Sequence, residues 1–205
     1  MRQLRIFSIA LLALSPAACG SDTPLFREGD VVFLVSTTPH TDPVLLATKS
    51  RIGHVGMILR HNGELMFYEA VSPVKYTPLE AWKKKQEGKQ FTVKRLTRAE
   101  SVLTAWNLAR LDSLASTFEG KPYDSWYGWS DEKLYCSELV WKLYDRILGI
   151  DLCPLRKLKE YDLTPPEVEK KLKERFPNGA PLEETVVAPE DLYQSRLLTT
   201  VFEQR

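Results

Sequence analysis

One short hairpin sequence brings an imidazole and a carboxylate within reach of each other. Asn62-Gly63 lies between two apolar runs, and this dipeptide favours a two-residue type I′ turn because both residues tolerate positive φ. The turn fixes the pairing of the flanking strands, and continuing that pairing puts Gly56 opposite Glu69. Side chains alternate between the faces of a strand, so His54 and Glu69 become diagonal neighbours on one face. A histidine oriented by a carboxylate is the general base of many hydrolases.

The residues around Glu69 favour a functional pair over two unrelated strand-end residues. Residues 66–70 are otherwise apolar or aromatic, and a carboxylate within such a strand is costly unless it has a partner. Gly56 has no side chain, which leaves room for the imidazole and the carboxylate to approach each other. The alternative is a strand-end His54 and a solvent-facing Glu69, and a register slip of one residue would destroy the pair.

Cys136 is the candidate nucleophile. It begins the apolar part of a helix predicted over residues 131–148, and apolar residues follow it at three- and four-residue spacing, as in a buried core cysteine. A helix that begins close to Cys136 would instead lower the pKa of the thiol and offer backbone N–H groups to an oxyanion. An imidazolium at His54, oriented by Glu69, would lower that pKa further. Spacing alone leaves both interpretations open.

The elements that must position these residues occur in separate blocks of strands and helices. Apolar runs of strand length and helical apolar faces mark four strands and four helices. The predicted strands are residues 31–35, 54–59, 65–71 and 91–96, and the predicted helices are residues 43–49, 100–118, 131–148 and 165–176. Separate blocks of this kind predict an α+β fold. An aromatic loop over residues 121–131, directly before Cys136, is the best candidate for the wall of a pocket.

Length and composition predict one globular domain, over residues 25–205, whose function comes from a site. The chain has 205 residues, of which 43% are hydrophobic and 27% charged, and its net charge is +1. This charge balance gives no reason to expect nucleic acid as a partner. His40 and His61 lack the spacing of metal ligands, and His61 is most simply a solvated turn residue. We therefore expect neither a metal nor a cofactor.

The beginning of the chain predicts export from the cytoplasm. Two arginines, an apolar run and a small-residue stretch precede Cys19, which is the pattern of a secretory signal peptide over residues 1–18. Small residues directly before a cysteine also match a bacterial lipoprotein signal, so we expect a lipid on Cys19 to anchor the chain to a membrane. Gly20, in place of an aspartate, favours the outer membrane with the domain facing the periplasm. A soluble periplasmic or secreted protein is the alternative.

Several motifs along the chain, in this order, resemble a known family. They occupy residues 29–33, 50–57, 67–71, 74–79, 120–124, 135–138 and 181–187. Their order and spacing are similar to those of the YiiX-like family, circularly permuted papain-like relatives of the NlpC-type cell-wall peptidases. The resemblance implies a permuted papain-like fold with an antiparallel sheet packed against helices. It also implies Cys136 as nucleophile, His54 as base and Glu69 as the third residue, with no role for Cys153.

Three functions follow from these observations, and they differ in class. The first is a cell-envelope thiol hydrolase, an amidase or peptidase acting on peptidoglycan stem peptides or small amino-acid amides. The second keeps the same site in a lipid acyltransferase or lipid hydrolase, with the aromatic loop around Trp126 holding an acyl chain. The third is a non-catalytic envelope binding module in which Cys136 is buried, or is bridged to Cys153 in an oxidising compartment. The sequence leaves the oligomeric state open.

Overall fold

The computed structural model describes residues 26–38 and 40–205. The predicted leader and Cys19 lie outside the described residues. The strands are β1 (Val31–Val35), β2 (Ile52–His61), β3 (Glu64–Glu69), β4 (Lys75–Pro78), β5 (Phe91–Leu96), β6 (Arg156–Lys157), β7 (Thr185–Val186) and β8 (Leu198–Gln204). The helices are α1 (Pro43–Thr48), α2 (Leu79–Lys85), α3 (Ala99–Val102), α4 (Ala105–Phe118), α5 (Cys136–Leu148), α6 (Pro166–Arg175) and α7 (Pro189–Tyr193).

The main sheet has six strands in the order β4-β3-β2-β1-β5-β8, with every neighbouring pair antiparallel. The short strands β6 and β7 form a separate pair. This architecture confirms the predicted α+β class and the antiparallel sheet packed against helices.

Both faces of the sheet are covered, which explains the continuous apolar sequence of β1. Val31 and Phe33 belong to the core formed with α4 and α5, whereas Val32 belongs to a second core on the other face. Helix α2 covers that second face with Trp82, which lies 4.4 Å from Phe67 between ring centroids. A strand buried on both sides has no polar face, and so its sequence does not alternate.

The β2–β3 hairpin has the predicted turn and the predicted register. Asn62 and Gly63 have φ values of 50° and 85°, as a type I′ turn requires. His61 pairs with Glu64, and the same register continues to the pair of Met57 with Tyr68.

The predicted reason for a glycine at position 56 was wrong. A Cβ atom there would lie 2.5 Å from Cζ of Phe67 and 2.7 Å from the carbonyl oxygen of Tyr68. Gly56 therefore admits the Phe67 ring and a close strand approach, rather than leaving room for the imidazole and the carboxylate.

Two of the predicted helices differ from the bounds that their apolar patterns suggested. The segment over residues 100–118 is divided into α3 and α4, because the Thr104 side chain accepts a hydrogen bond from the Asn107 N–H (3.2 Å) and caps a new helix. The helix expected over residues 131–148 begins at Cys136.

The main additions to the prediction are β4, α2 and the tail elements β6, β7, α7 and β8. Strand β8 pairs with β5 on the side opposite β1. Within the described ranges, no helix has the length and apolar character needed to cross a membrane.

Replacing Gly56 with alanine tests the close packing of the hairpin. We expect Gly56→Ala to lower the free energy of unfolding by roughly 1–3 kcal/mol, because the added methyl group meets both a ring and a backbone oxygen. Chemical denaturation monitored by circular dichroism measures the change. Gly128→Ala is the matched control, since a Cβ atom there meets only a carboxylate oxygen of Asp124, at 3.4 Å. Equal stability of the two variants would contradict the packing described here.

Candidate active site

Cys136 is the first residue of α5, so it lies where backbone N–H groups have no partner within the helix. Tyr135 precedes it in an extended conformation, and the Glu138 carboxylate accepts a hydrogen bond from the Tyr135 N–H (3.3 Å). The thiol is buried, with the residue only 4% exposed. This placement meets the condition that the sequence left open, a helix that begins at the cysteine.

His54 and Glu69 are in contact as the hairpin register predicted. The His54 Nε2 atom lies 2.8 Å from Glu69 Oε2, and their side chains are 21% and 13% exposed. His54 also hydrogen bonds to the Cys136 side chain. Because Nε2 faces the carboxylate, the remaining ring nitrogen, Nδ1, is the one available to the thiol. The structure thus brings all three predicted site residues together.

The electrostatics of the site favour a thiolate beside an imidazolium. Burial raises the pKa of Cys136, but the charge and hydrogen bond of His54 and the N–H groups of Val55 and Ser137 lower it below its ordinary value. Burial lowers the pKa of His54, but Cys136 and then Glu69 raise it to about 10. Each charge stabilises the other in a region that water reaches poorly.

Tyr123 is a site residue whose contact the sequence did not show. Its side chain hydrogen bonds to Cys136, and burial together with the charge at Cys136 raises the pKa of the phenol far above its ordinary value. A single parallel bridge to Leu134 fixes this part of the loop. The buried Asp124 carboxylate accepts hydrogen bonds from the N–H groups of Trp126 and Gly128, both at 2.8 Å. The position of the aromatic loop directly before Cys136 was the only signal for this role.

A buried ion network ties the aromatic loop to α5. Lys142 Nζ lies 2.7 Å from Glu138 Oε1 and 2.8 Å from Asp131 Oδ1, and it donates a hydrogen bond to the Ser130 carbonyl oxygen (2.6 Å). Glu138 is fully buried and Lys142 nearly so. Burial raises the pKa of Glu138 to about 7, and Lys142 opposes that rise. The network therefore holds the aromatic loop against α5, the helix whose first residue is Cys136.

The C-terminal part of the chain completes the site from the other side. The Ser137 hydroxyl donates a hydrogen bond to the Val187 carbonyl oxygen (2.7 Å), and the Val187 N–H donates to the Tyr135 hydroxyl (3.2 Å). Ser50, just before β2, hydrogen bonds to Glu190 in α7. The tail therefore joins the start of α5 to the strand that carries His54.

An open groove leads to Cys136. Helix α1, the aromatic loop, α6 and the tail form its walls, and most of the lining is apolar or aromatic. Representative lining residues are Val44, Tyr127, Val168, Leu172, Phe176 and Val187. Tyr123 and Tyr127 of the aromatic loop line the groove as predicted, whereas the exposed Trp126, around which an acyl chain was expected, does not line it.

Among the described residues, Cys153 and His61 have surroundings of their own. Cys136 and Cys153 are both free thiols, and burial raises the pKa of Cys153 to about 12. His61 is not simply a solvated turn residue. Its Nδ1 atom lies 2.9 Å from Asp112 Oδ1, and its ring stacks on Tyr76 with 4.1 Å between ring centroids. In the described part of the chain, no group of three or more His, Cys, Asp or Glu side chains could hold a metal ion.

The fold and site define a class of protein. A cysteine at the start of a helix, beside a histidine on an antiparallel sheet, is the arrangement of papain-like enzymes. Here the chain order is His54, Glu69, Cys136, with the cysteine last, which makes the arrangement circularly permuted.

The chain belongs to the permuted papain-like amidase family (YaeF/YiiX, C92), whose sequence profile matches residues 26–202. Membership of this family supports an amidase-type hydrolase activity for the chain. An uncharacterized protein, YiiX of Escherichia coli strain K12, is 39% identical over 197 residues, which cover 96% of this chain and 94% of YiiX. A crystal structure of YiiX from Escherichia coli O157:H7, described there as a metalloprotein, matches with a TM-score of 0.78 and 40% identity. That match covers 88% of this chain and 98% of the other.

The pH dependence of thiol alkylation tests the ion pair. We expect iodoacetamide to alkylate Cys136 readily at pH 7 and more slowly as the pH falls, because the thiolate becomes protonated below its lowered pKa. In His54→Ala, burial acts on the thiol without the imidazolium, so the pKa rises and the rate at pH 7 falls at least about tenfold.

Cys153→Ser provides the background for this measurement, since it leaves Cys136 as the one cysteine of the described residues. Peptide mapping after alkylation identifies the labelled site. An unchanged pH profile in His54→Ala would show that the imidazole does not stabilise the thiolate.

Removing the buried cation tests the network behind the site. We expect Lys142→Met to cost roughly 3–5 kcal/mol of unfolding free energy, because Glu138 would remain buried without its partner. Adding Glu138→Gln should recover much of that loss, since the amide oxygen still accepts from the Tyr135 N–H without a buried charge. Urea denaturation measures both, and Lys133→Met, at an exposed position of the same region, is the control. Equal losses in the single and double variants would contradict a charge-pair origin.

Proposed function

We propose that this chain is a thiol hydrolase of the cell envelope that cleaves an amide or ester with Cys136, His54 and Glu69. The observation that carries the proposal is the chain of contacts from the thiol to the imidazole and on to the carboxylate, with 2.8 Å between His54 and Glu69. Family membership supports hydrolysis of an amide. The identity of the nucleophile rests on this geometry.

The reaction follows from the protonation states. The Cys136 thiolate forms a bond to the substrate carbonyl carbon, and the carbonyl electron pair moves to oxygen. His54 then gives its Nδ1 proton to the leaving nitrogen or oxygen as the carbonyl re-forms, which leaves a thioester on Cys136. Neutral His54 next takes a proton from water, whose oxygen attacks the thioester and releases the acid. Glu69 holds the imidazole in one orientation throughout.

The developing oxyanion needs donors close to the thiol. The N–H groups of Cys136 and Ser137 are in the first turn of α5, where no helical carbonyl oxygen takes them. The Tyr123 hydroxyl hydrogen bonds to Cys136 and remains protonated at neutral pH because its pKa is raised. We propose that these groups stabilise the tetrahedral intermediate.

The groove favours a substrate with an apolar part. Peptidoglycan stem peptides and small amino-acid amides are polar, whereas Val44, Val168, Leu172 and Phe176 line the groove with hydrocarbon. This observation supports the second candidate, in which the substrate is a lipid-like amide or ester and the acceptor is water or an alcohol. Papain-like chemistry serves either acceptor, since both attack the same thioester.

A non-catalytic binding module is less consistent with the site. A binding module would give no reason for a charged group beside Cys136, and in its second form it would bridge Cys136 to Cys153. Both thiols are free, and His54 holds Cys136 toward its charged form.

The envelope location rests on the N-terminal sequence. Residues 1–18 have the pattern of a signal peptide, and Cys19 follows small residues as in lipoproteins. We propose that a lipid on Cys19 tethers the domain to the outer membrane, where an apolar substrate is available. The intact mass of protein extracted from membranes measures this, because a free N-terminus at any cleavage site would show no lipid.

Trapping of an acyl-enzyme tests the mechanism. We expect p-nitrophenyl octanoate to release nitrophenolate and to add one octanoyl group to Cys136, as seen in the intact mass of rapidly quenched protein. Cys136→Ser and His54→Ala should lose at least about 10²-fold in rate, because nucleophile and base act together. With an amide substrate, whose leaving amine must be protonated, turnover should also fall above about pH 10, where His54 loses the proton that it gives to that amine.

Cys153→Ser is the matched control and should keep the wild-type rate. Hydrolysis and transfer are separated by the product formed in added glycerol, which is octanoate alone for a hydrolase and a glyceryl ester for an acyltransferase. Full activity in Cys136→Ser, or acylation at another residue, would refute the assignment of the nucleophile.

A further inference from the structure

Arg175 ends α6 with its guanidinium on the wall of the groove. The guanidinium carbon lies 5.0 Å from the centre of the Tyr127 ring, and the two side chains hydrogen bond to each other. Arg175 is half-buried. A largely apolar surface thus holds a permanently charged donor group, and the other charged lining residue of this groove, Lys171, is paired with Glu174.

Arg175 has no acidic partner in the part of the chain that the structure describes. Among the described residues, it forms none of the ion pairs within 4.0 Å, whereas its helix neighbours Lys171 and Lys173 pair with Glu174 and Glu169. Asp42 acts electrostatically on Tyr127, but its carboxylate caps α1 by accepting from the Val44 N–H (2.9 Å). A half-buried cation beside hydrocarbon is costly without a counter-ion.

The Arg175 guanidinium is linked to the Cys136 thiol through two tyrosines of the aromatic loop. Arg175 interacts electrostatically with both Tyr123 and Tyr127, and Tyr123 hydrogen bonds to Cys136. A substrate part that lies in the groove with its carbonyl carbon at Cys136 therefore passes Arg175. The tyrosines offer the guanidinium a ring face and a hydroxyl, which leave further N–H donors for a ligand.

We propose that Arg175 binds an anionic oxygen group, a carboxylate or a phosphate, on the acyl part of the substrate. The inference rests on the proposed function, since it assumes that the acyl part occupies the groove while attached to Cys136. It narrows the substrate class to an amide or ester whose apolar acyl part carries a negative charge. A planar guanidinium suits such a group because it can donate two parallel hydrogen bonds.

A structural role would make a different prediction. Arg175 could serve only to hold α6 against the aromatic loop, as the neighbouring contact of Trp126 with Phe176 does at 5.4 Å between ring centroids. Loss of such a support would slow every substrate alike. Discrimination between charged and neutral substrates is the readout that separates the two roles.

The test compares the p-nitrophenyl esters of butanoic, hexanoic and octanoic acid with the mono-p-nitrophenyl esters of succinic, adipic and suberic acid. The suberate ester has the same chain length as octanoate and adds a terminal carboxylate, and the shorter esters measure how far that carboxylate lies from Cys136. We expect at least one anionic ester to exceed its neutral counterpart of equal length in kcat/KM by about tenfold or more. Arg175→Gln should abolish this preference, and Arg175→Lys should keep part of it.

Arg196→Gln is the matched control, because Arg196 is exposed and does not line the groove. Equal kcat/KM for anionic and neutral esters of every length in the wild type would overturn the inference while leaving the proposed function intact. An equal fall for both ester types in Arg175→Gln would also overturn it, in favour of a structural role.

Binding without turnover separates this inference from the proposed function. Calorimetry with octanoate, octyl phosphate and the neutral octanamide measures the groove directly, in wild type and in Arg175→Gln. Tighter binding of octanoate indicates a carboxylate ligand, and tighter binding of octyl phosphate indicates a phosphate. If no ester acylates Cys136, the proposed function fails, and loss or retention of the anion preference in Arg175→Gln still decides the role of Arg175.

Discussion

The fold is organised around one electrostatic constraint, which is the burial of a thiolate and an imidazolium in contact with each other. Neither charge is stable alone at this depth, because desolvation raises the pKa of Cys136 and lowers that of His54. The pair persists only if the first turn of α5 meets the end of the β2–β3 hairpin within hydrogen-bond distance. A small error in the angle between helix and sheet would replace two stabilised charges with a neutral thiol and a neutral ring.

Supports converge on that meeting point from parts of the chain far apart in sequence. Lys142 ties the aromatic loop to α5 through Glu138 and Asp131, and the segment around Val187 joins the start of α5 to the tail. On the sheet side, the Phe67 ring packs directly over Gly56 and keeps β2 and β3 close together beside His54 and Glu69. These contacts are polar or tightly packed, so they fix position more strictly than a loose apolar interface could.

The parts of the site governed by local rules could be predicted from the sequence, and the parts governed by tertiary contacts could not. Asn62-Gly63 determines a turn, the turn determines a register, and the register brings His54 to Glu69. The start of α5 at Cys136 depends instead on tertiary contacts. Residues 130–135 are not helical and contact Lys142 and Val187, and no local sequence pattern predicts those contacts. The contact of Tyr123 with the thiol, the groove between α1 and α6, and the edge position of β8 arise in the same way. Gly56 shows a subtler failure, since the residue was noticed but the ring that requires it belongs to the opposite strand.

The permuted order of the chain has a consequence for how the protein folds. The hairpin with His54 and Glu69 comes first in the chain, Cys136 follows, and the Val187 segment and β8 come last. Strand β8 closes contacts across more than a hundred residues, such as the hydrogen bond from Gln204 to the carbonyl oxygen of Lys89, so the sheet is complete only when the last residues have folded onto it. Until then the thiol lacks the fixed neighbours that hold it as a thiolate. A partly folded chain thus carries a cysteine of ordinary pKa, and the lowered pKa of Cys136 appears only in the finished molecule.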